Sequence, residues 1–229
     1  MLKKTKGIVI SYIRYKETSI IVKIFTREVG LKSYIVNGVR SAKSKSKMAL
    51  YQPLTLLELV LYDKESSNLN RISEAKLSYP YRTIPFDFIK SGIAMFVAEA
   101  INKSIYENYS NVSLFDFLES ALIHLDSPSV KRSNFPISFL LEMSRFLGFA
   151  PEDSRSFFEE LDLKVKTPHT LHVEMEAMNL LLREPFDEGL QISSAIRRAL
   201  LDHLLVFYSL HLDDHSPWNS VKVLRQMIL

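Results

Sequence analysis

Cysteine is missing altogether from this chain of 229 residues. Its absence excludes disulfides, thiol nucleophiles and cysteine-ligated zinc together. Glycine is scarce, with six in the whole chain, and no G-x-x-x-x-G-K-[ST] sequence occurs, so we expect no phosphate-binding loop and no use of ATP. The common nucleophile motifs do not occur in a supporting strand–turn–helix context. We therefore predict that the protein is not an enzyme.

Long apolar runs are also missing. No segment approaches the roughly 20 apolar residues that a membrane span requires. The first apolar run begins at Ile8 and ends at Arg14, which is too early for a secretory signal. The chain is 47% hydrophobic and 24% charged, a composition typical of soluble globular proteins. We predict a cytoplasmic protein that does not bind membranes.

Charge is distributed unevenly along the chain. Residues 1–80 contain 15 Lys and Arg against six Asp and Glu, a net charge of +9, whereas the remainder carries −6. Within residues 1–47 the net charge is +10. Such asymmetry indicates a polyanionic partner for the basic part, with nucleic acid the first candidate and an anionic membrane surface the second.

The basic part has the sequence pattern of β-strands. Runs rich in Ile, Val, Tyr and Phe alternate with polar residues and are separated by turn formers such as Gly30 and Asn37-Gly38. The pattern predicts five strands, at residues 7–13, 19–26, 31–36, 54–62 and 69–76. Five short strands favour a closed barrel, because closure removes exposed sheet edges. An OB-type barrel is the common solution, and an SH3-like barrel fits the strand count nearly as well.

From Pro85 onward the hydrophobic period changes to that of helices. Helices are predicted over about 93–105, 113–125, 136–147, 193–212 and 218–229, and residues 78–85, with two prolines, form the linker. The predicted fold class is therefore α+β, with a five-stranded OB-type barrel followed by an all-helical part. We predict an OB-fold DNA-binding domain at 1–80 and a helical domain for partner docking at 81–229.

Basic and small residues alternate in the loop from Gly38 to Met48. In an extended backbone the side chains of Lys43, Lys45 and Lys47 would form one positive row, suited to following a phosphate backbone. Serines in the loop can donate hydrogen bonds to phosphate oxygens. Because none of these residue types reads base identity well alone, the predicted binding is tolerant of sequence.

Aromatic and basic residues are interleaved in the predicted barrel, a composition used to bind single strands. The aromatic residues are Tyr12, Tyr15, Phe25, Tyr34 and Tyr51, and the basic ones are Arg14, Lys16, Lys23 and Lys32. A structural interpretation stays open beside this one: Tyr12, Phe25 and Tyr34 can equally be barrel core or rim.

The N-terminal part resembles the RecO family in the order and spacing of several segments. The segments are Lys6-Gly7-Ile8-Val9, residues 14–26 (RYKETSIIVKIFT), Glu28-Val29-Gly30, the loop from Gly38 to Lys47, and Gln52-Pro53-Leu54. The helical remainder, ending in Val223-Leu224-Arg225, is also similar to that family.

The resemblance implies an OB domain that binds single- and double-stranded DNA, anneals complementary strands and is associated with the nucleoid. It also implies interaction with single-strand-binding protein and partnership with RecR in loading RecA. The family's basic loop corresponds to Arg40, Lys43, Lys45 and Lys47, which we expect to contact DNA with Arg14, Lys16, Lys23 and Lys32. Many family members hold a four-cysteine zinc site, but this chain has no cysteine, so we expect no cofactor.

Three other interpretations remain open. The barrel can be a protein adaptor whose basic loop meets an acidic partner rather than DNA. Arg197 and Arg198 can grip an acidic peptide tail, such as that of single-strand-binding protein. The spacing of His169, His172, His211 and His215, with Asp213 and Asp214, would allow a metal-dependent nuclease if these residues converge.

Overall fold

A computed structural model of the chain describes residues 2–40, 45–62, 69–161 and 168–228. Its strands are β1 (Leu2–Tyr15), β2 (Ser19–Thr26), β3 (Gly30–Val36), β4 (Leu56–Tyr62) and β5 (Asn70–Tyr79). Its α-helices are α1 (Lys45–Ala49), α2 (Phe88–Ser104), α3 (Val112–Asp126), α4 (Phe135–Leu147), α5 (Ser154–Glu160), α6 (Pro168–Arg183), α7 (Ser194–His211) and α8 (Ser220–Ile228).

The five strands close into a barrel in the order β1-β2-β3-β5-β4, and β4 pairs back onto β1. All neighbours are antiparallel except β3 and β5, which run parallel. This arrangement confirms the predicted OB-type barrel followed by helices, and the SH3-like alternative is set aside.

Alternation along the strands places one set of side chains in the barrel interior. Ile20, Val22 and Ile24 of β2 are fully buried, as is Leu57 of β4. Strand β1 is longer than predicted at both ends, and a bulge between Val9 and Ser11 adjusts its register with β2. The predicted strand positions are therefore correct, while some strand ends are not: β1 is longer than predicted, β4 begins at Leu56 and β5 ends at Tyr79.

The described chain divides into two compact units. The first holds the residues up to Arg82 together with Ile105–Ile123, and the second holds Thr83–Ser104 and the residues from His124 onward. The predicted division at residue 80 left 105–123 with the helices. This segment belongs to the first unit because it pairs with the start of β3: the Leu31 amide donates to the Tyr109 carbonyl at 2.8 Å, and the Asn108 amide to the Leu31 carbonyl at 2.8 Å.

The second unit is helical. Helix α4 begins with Pro136 in its first turn and ends at Gly148, whose φ of 86° is the left-handed conformation predicted for a helix stop. Helices α5 and α6 lie outside the predicted helical ranges, and the predicted linker contains a 3-10 helix, Ile84–Phe86. None of the helices in the described residues is long and apolar enough to cross a membrane.

Candidate nucleic-acid interface

The turn between β1 and β2 meets the segment that follows β3 at one end of the barrel. The Arg40 amide donates to the Thr18 carbonyl at 3.0 Å, and the Arg40 guanidinium donates to the Lys16 carbonyl at 3.2 Å. Val39 is buried in the barrel core and anchors this segment. Arg14, just before the turn, is exposed. We call Arg14, Lys16 and Arg40 the cationic end.

Two further cations lie on the barrel surface. Lys23 is exposed on β2, where it is in register with Ser11 of β1 and Ser33 of β3. Lys47 is exposed on α1, whose neighbouring Met48 packs against the barrel core. The structure therefore brings Arg14, Lys16 and Arg40 together, and it adds Lys23 and Lys47 as exposed charges on the same barrel.

Other basic residues of the barrel are neutralised by α3. The Arg27 guanidinium donates to both carboxylate oxygens of Asp116, at 2.7 and 2.9 Å, and Lys6 Nζ lies 2.9 Å from Glu119 Oε1. The hydrogen bond and charge of Arg27 lower the pKa of Asp116. Both carboxylates lie in the first unit beside the barrel. These two cations are thus compensated within the protein.

The cationic end and the two lysines lack such compensation. Within the described part of the chain, neither Arg14, Lys23 nor Lys47 forms an ion pair, and the cation–π contact of Lys16 is with its neighbour Tyr15, at 5.4 Å. A cation without a carboxylate partner keeps its full charge for an external anion. The structure therefore separates neutralised cations from available ones, a distinction that the spacing of charges in the sequence does not show.

Some predicted site residues lie elsewhere. Lys32 is half-buried near the start of β3, about 13 Å along the strand from its end at Val36, and it interacts within the protein. Lys43 and the side chain of Lys45 lie outside the described residues. The expected extended row is wrong for Lys45–Ala49, because this segment is helical and residues two apart point about 200° apart.

The stacking interpretation is wrong for three of the five aromatic residues. Phe25, Tyr34 and Tyr51 are between 0% and 5% exposed, so their rings cannot meet a nucleic-acid base. Tyr12 is partly buried against the barrel core. The structural interpretation of these rings therefore holds for Phe25 and Tyr34, because a closed barrel of five strands needs large side chains to fill its centre and cover its walls.

Side chains on the outer surface of β1, β2 and β3 form rows that run across the three strands. One row is covered by residues of the segment 105–123, and the next two rows are not. Ile8, Phe25 and Leu31 are paired in register and buried, with Tyr109 and Phe115 against the Phe25 ring. The first open row consists of Ser11, Lys23 and Ser33. The second consists of Ile13, Ile21 and Ile35, and Arg71 of β5 continues it. We call these seven residues the open face. Alternation in β2 already placed Ile21 and Lys23 on one side, but the extent of the cover was not predictable.

A groove on the described barrel has mixed charge. It encloses about 420 Å³ beside β1, β4 and β5. Its charged lining consists of Lys4, Lys6, Lys76, Glu28, Glu58 and Glu74. Since acids and bases alternate there, this groove offers a polyanion no continuous positive surface.

The predicted partner-binding arginines lie at the start of α7. Arg197 donates to the Ile192 carbonyl, and burial lowers the pKa of Arg197. Arg198 is exposed, and both residues make further interactions within the protein. Their role in binding an acidic tail stays a prediction.

The histidines do not converge on a metal site in the described residues. His172 Nε2 lies 3.2 Å from Glu176, and His211 Nε2 lies 3.2 Å from Glu160. His215 is exposed, and the side chain of His169 falls outside the described part. No group of three or more His, Asp or Glu side chains that could hold a metal ion occurs among the residues described.

Comparison with known proteins gives a consistent result along the chain. The family models described as Recombination protein O N terminal and Recombination protein O C terminal match residues 1–81 and 85–219. DNA repair protein RecO of Phocaeicola vulgatus is 39% identical over 99% of both chains. The protein of the same name in Flavobacterium psychrophilum is 38% identical over 98% of both chains, and that in Flavobacterium johnsoniae is 36% identical.

Proposed function

The chain belongs to the RecO family of DNA repair proteins, and on this premise we propose that it is a DNA-binding recombination mediator. In this proposal it anneals complementary strands. Together with RecR, it helps to load RecA on DNA that is coated by single-strand-binding protein. It does so without a catalytic step of its own.

The observation that carries the proposal is the uncompensated positive charge of the barrel. Arg14, Lys16 and Arg40 are gathered at one end, while Lys6 and Arg27 are held by carboxylates of α3. Lysine and arginine bind phosphates and leave base edges unread. This is the property an annealing protein needs, because the bases must stay available to the complementary strand.

Annealing by such a surface requires no energy source. Two strands repel each other through their phosphates, and cations that neutralise part of that charge lower the repulsion as the bases meet. The long reach of lysine and arginine side chains lets one surface hold strands in several registers. Pairing of the bases then drives the reaction.

The helical domain, residues 81–229, is proposed to dock the protein partners. RecR and single-strand-binding protein are the partners that the family relationship suggests. Arg197 and Arg198 remain the candidates for the acidic tail of single-strand-binding protein, since arginine pairs carboxylates through two parallel hydrogen bonds. We propose in addition that the chain needs no structural zinc, because it has no cysteine that could serve as a zinc ligand.

The test is an annealing assay with the full chain. Complementary labelled strands are coated with the cognate single-strand-binding protein, either intact or without its acidic tail, and duplex formation is followed by fluorescence. We expect annealing of the coated strands, and a loss of most of that rate when the tail is removed. Absence of annealing on both bare and coated strands would refute the proposal.

Two controls separate the alternative functions. A protein adaptor would show no saturable binding of a labelled oligonucleotide at moderate salt, whereas a mediator binds it. A metal-dependent nuclease would shorten DNA in the presence of Mg²⁺ or Mn²⁺, and we expect the strands to stay intact.

A further inference from the structure

Helix α3 carries two carboxylates that hold two cations of the barrel. Asp116 and Glu119 are three residues apart and therefore lie on one side of the helix. Asp116 accepts two hydrogen bonds from the Arg27 guanidinium, at 2.7 and 2.9 Å. The two carboxylate oxygens of Glu119 lie 2.9 and 3.0 Å from Lys6 Nζ. Two ion pairs thus join the helix to the barrel within the first unit.

The four charged groups form one cluster whose position is fixed. The Arg27 amide donates to the Lys6 carbonyl at 3.1 Å, so the two cations are neighbours on the barrel. The hydrogen bond and charge of Asp116 raise the pKa of Arg27, and the charge of Glu119 adds to this effect. Phe115 of the same helix is 1% exposed and packs on the barrel, which fixes both carboxylates beside the cations.

Burial does not keep these cations from an external anion. The side chains of Lys6 and Arg27 are 49% and 39% exposed. A phosphate that approached Arg27 would have to displace a carboxylate bound through two hydrogen bonds, which is one of the stronger charge-assisted arrangements. It would then lie close to the displaced negative charge, well within the distance over which salt screens poorly. The carboxylates of α3 therefore exclude a phosphate both by competition and by repulsion.

The same two carboxylates decide the sign of the charge on this side of the barrel. Lys6 lines the groove of mixed charge beside β1, β4 and β5. The charged residues of that groove and Arg27 together are four cations and three carboxylates, a net charge of +1. Asp116 and Glu119 raise the carboxylates to five and change the net charge to −1. A polyanion is attracted to the cationic end but not to this side.

We propose that Asp116 and Glu119 are positioning residues, which exclude the phosphate backbone from the α3 side of the barrel and so confine bound DNA to the cationic end. Lys6 lies about 26 Å along β1 from Arg14, so a strand that reached both would follow the length of the barrel. The inference rests on the proposed DNA-binding function and adds to it the residues that limit where DNA binds and how tightly. Limited contact suits an annealing protein, because a strand held at few phosphates can still shift its register.

The test removes the two negative charges and keeps the shapes of the side chains. The full chain and its variant Asp116→Asn/Glu119→Gln are titrated with a labelled thymine oligonucleotide of about 15 nucleotides over a series of salt concentrations. Once Lys6 and Arg27 are free to neutralise two further phosphates, the slope of log K against log salt should steepen by about 1.4. At about 0.1 M salt the variant should bind about 25-fold more tightly than wild type, and the two affinities should converge toward about 1 M.

A matched control makes the same change in net charge elsewhere. Glu159→Gln/Glu176→Gln removes two carboxylates of the second unit, whose side chains are 66% and 64% exposed and pair with Arg155 and His172. Its salt slope should stay within about 0.3 of the wild-type slope, because these carboxylates hold no cation of the barrel.

A combined variant separates positioning from a merely structural role. It carries Lys6→Gln and Arg27→Gln together with Asp116→Asn and Glu119→Gln, so it lacks both the carboxylates and the cations that they hold. The gain in slope should vanish in this variant, because no cation is left to be released. Asp116→Asn alone is the second variant, with an expected gain of about 0.7. Thermal midpoints establish that each variant is folded.

Three results would overturn the inference. They are an unchanged salt slope in the folded variants that lack the α3 carboxylates, an equal gain in the control of the second unit, and a gain that survives in the combined variant. The second result would show that net charge alone governs the affinity, and the third that Lys6 and Arg27 are not the cations released. Failure of the proposed function is a separate outcome, in which wild type itself binds no oligonucleotide.

Discussion

The four basic side chains Arg14, Lys16, Lys23 and Arg40 give the sharpest test of how this barrel meets DNA. We consider a variant in which all four are replaced by Gln, so that charge is removed while polarity and length are largely kept. None of the four forms an ion pair within the described residues. Each is therefore expected to neutralise one phosphate.

The expected effect follows from counterion release. For a single strand the slope of log K against log salt changes by roughly 0.7 for each phosphate neutralised, so four cations account for a slope of about 2.8. Between about 50 and 200 mM salt this slope corresponds to roughly a fiftyfold change in affinity, which the variant should no longer show. The assay is fluorescence anisotropy of a labelled single strand over a series of salt concentrations.

The matched control is Lys6→Gln/Arg27→Gln. These cations are held by Glu119 and Asp116, so their removal should flatten the slope by much less per charge than removal of the four. An equal effect per charge would show that compensation by α3 does not decide which cations meet DNA. An unchanged slope in the fourfold variant would show that none of the four side chains neutralises a phosphate of the bound DNA.

Three further outcomes are expected from the same structure. Gly30→Ala should destabilise the first unit by about 3 kcal/mol in denaturant unfolding, because φ is 73° and an added Cβ would lie 2.3 Å from the Tyr109 carbonyl oxygen; a change below about 1 kcal/mol would contradict this packing. Hydrogen bonds from Ser216 and the ammonium of Lys103 lower the pKa of Asp214 to about 2, so Asp214→Asn should lower the thermal midpoint above about pH 4, and the deficit should shrink as the pH falls from about 4 through about 2; a deficit at pH 2 as large as that above pH 4 would contradict the assignment. Metal analysis of the purified protein should find far less than one zinc per chain, and a chelator should leave the thermal midpoint unchanged; stoichiometric zinc would refute the expected loss of the metal.

Local sequence patterns were sufficient for the barrel. Alternation predicted the positions of all five strands, and glycine predicted the turn at Gly30 and the helix stop at Gly148, both with positive φ. These features depend on neighbours within a few residues, and so they are readable from composition and spacing. The N-terminal end of β1 was not, because it depends on the pairing of Leu2 with Tyr62 at the far end of β4.

The candidate site was only partly predictable for the same reason. The basic loop was expected to be extended, but Met48 and Tyr51 pack into the barrel, and a helical turn places them there. The aromatic residues were predicted to stack on bases, although Phe25 and Tyr34 are buried by packing within the protein. In both cases the local pattern was compatible with two structures, and burial decided between them.

Net charge alone does not identify a DNA-binding surface, because a count treats every lysine and arginine alike. Arg27 lies in the most basic stretch of the sequence, yet Asp116, which is 89 positions away, takes up its charge through two hydrogen bonds. No spacing rule connects these positions. We therefore propose that the DNA-binding site consists of the cations that α3 leaves without a carboxylate partner. The expected difference in salt slope between the fourfold variant and its control measures directly how the available cations differ from the compensated ones.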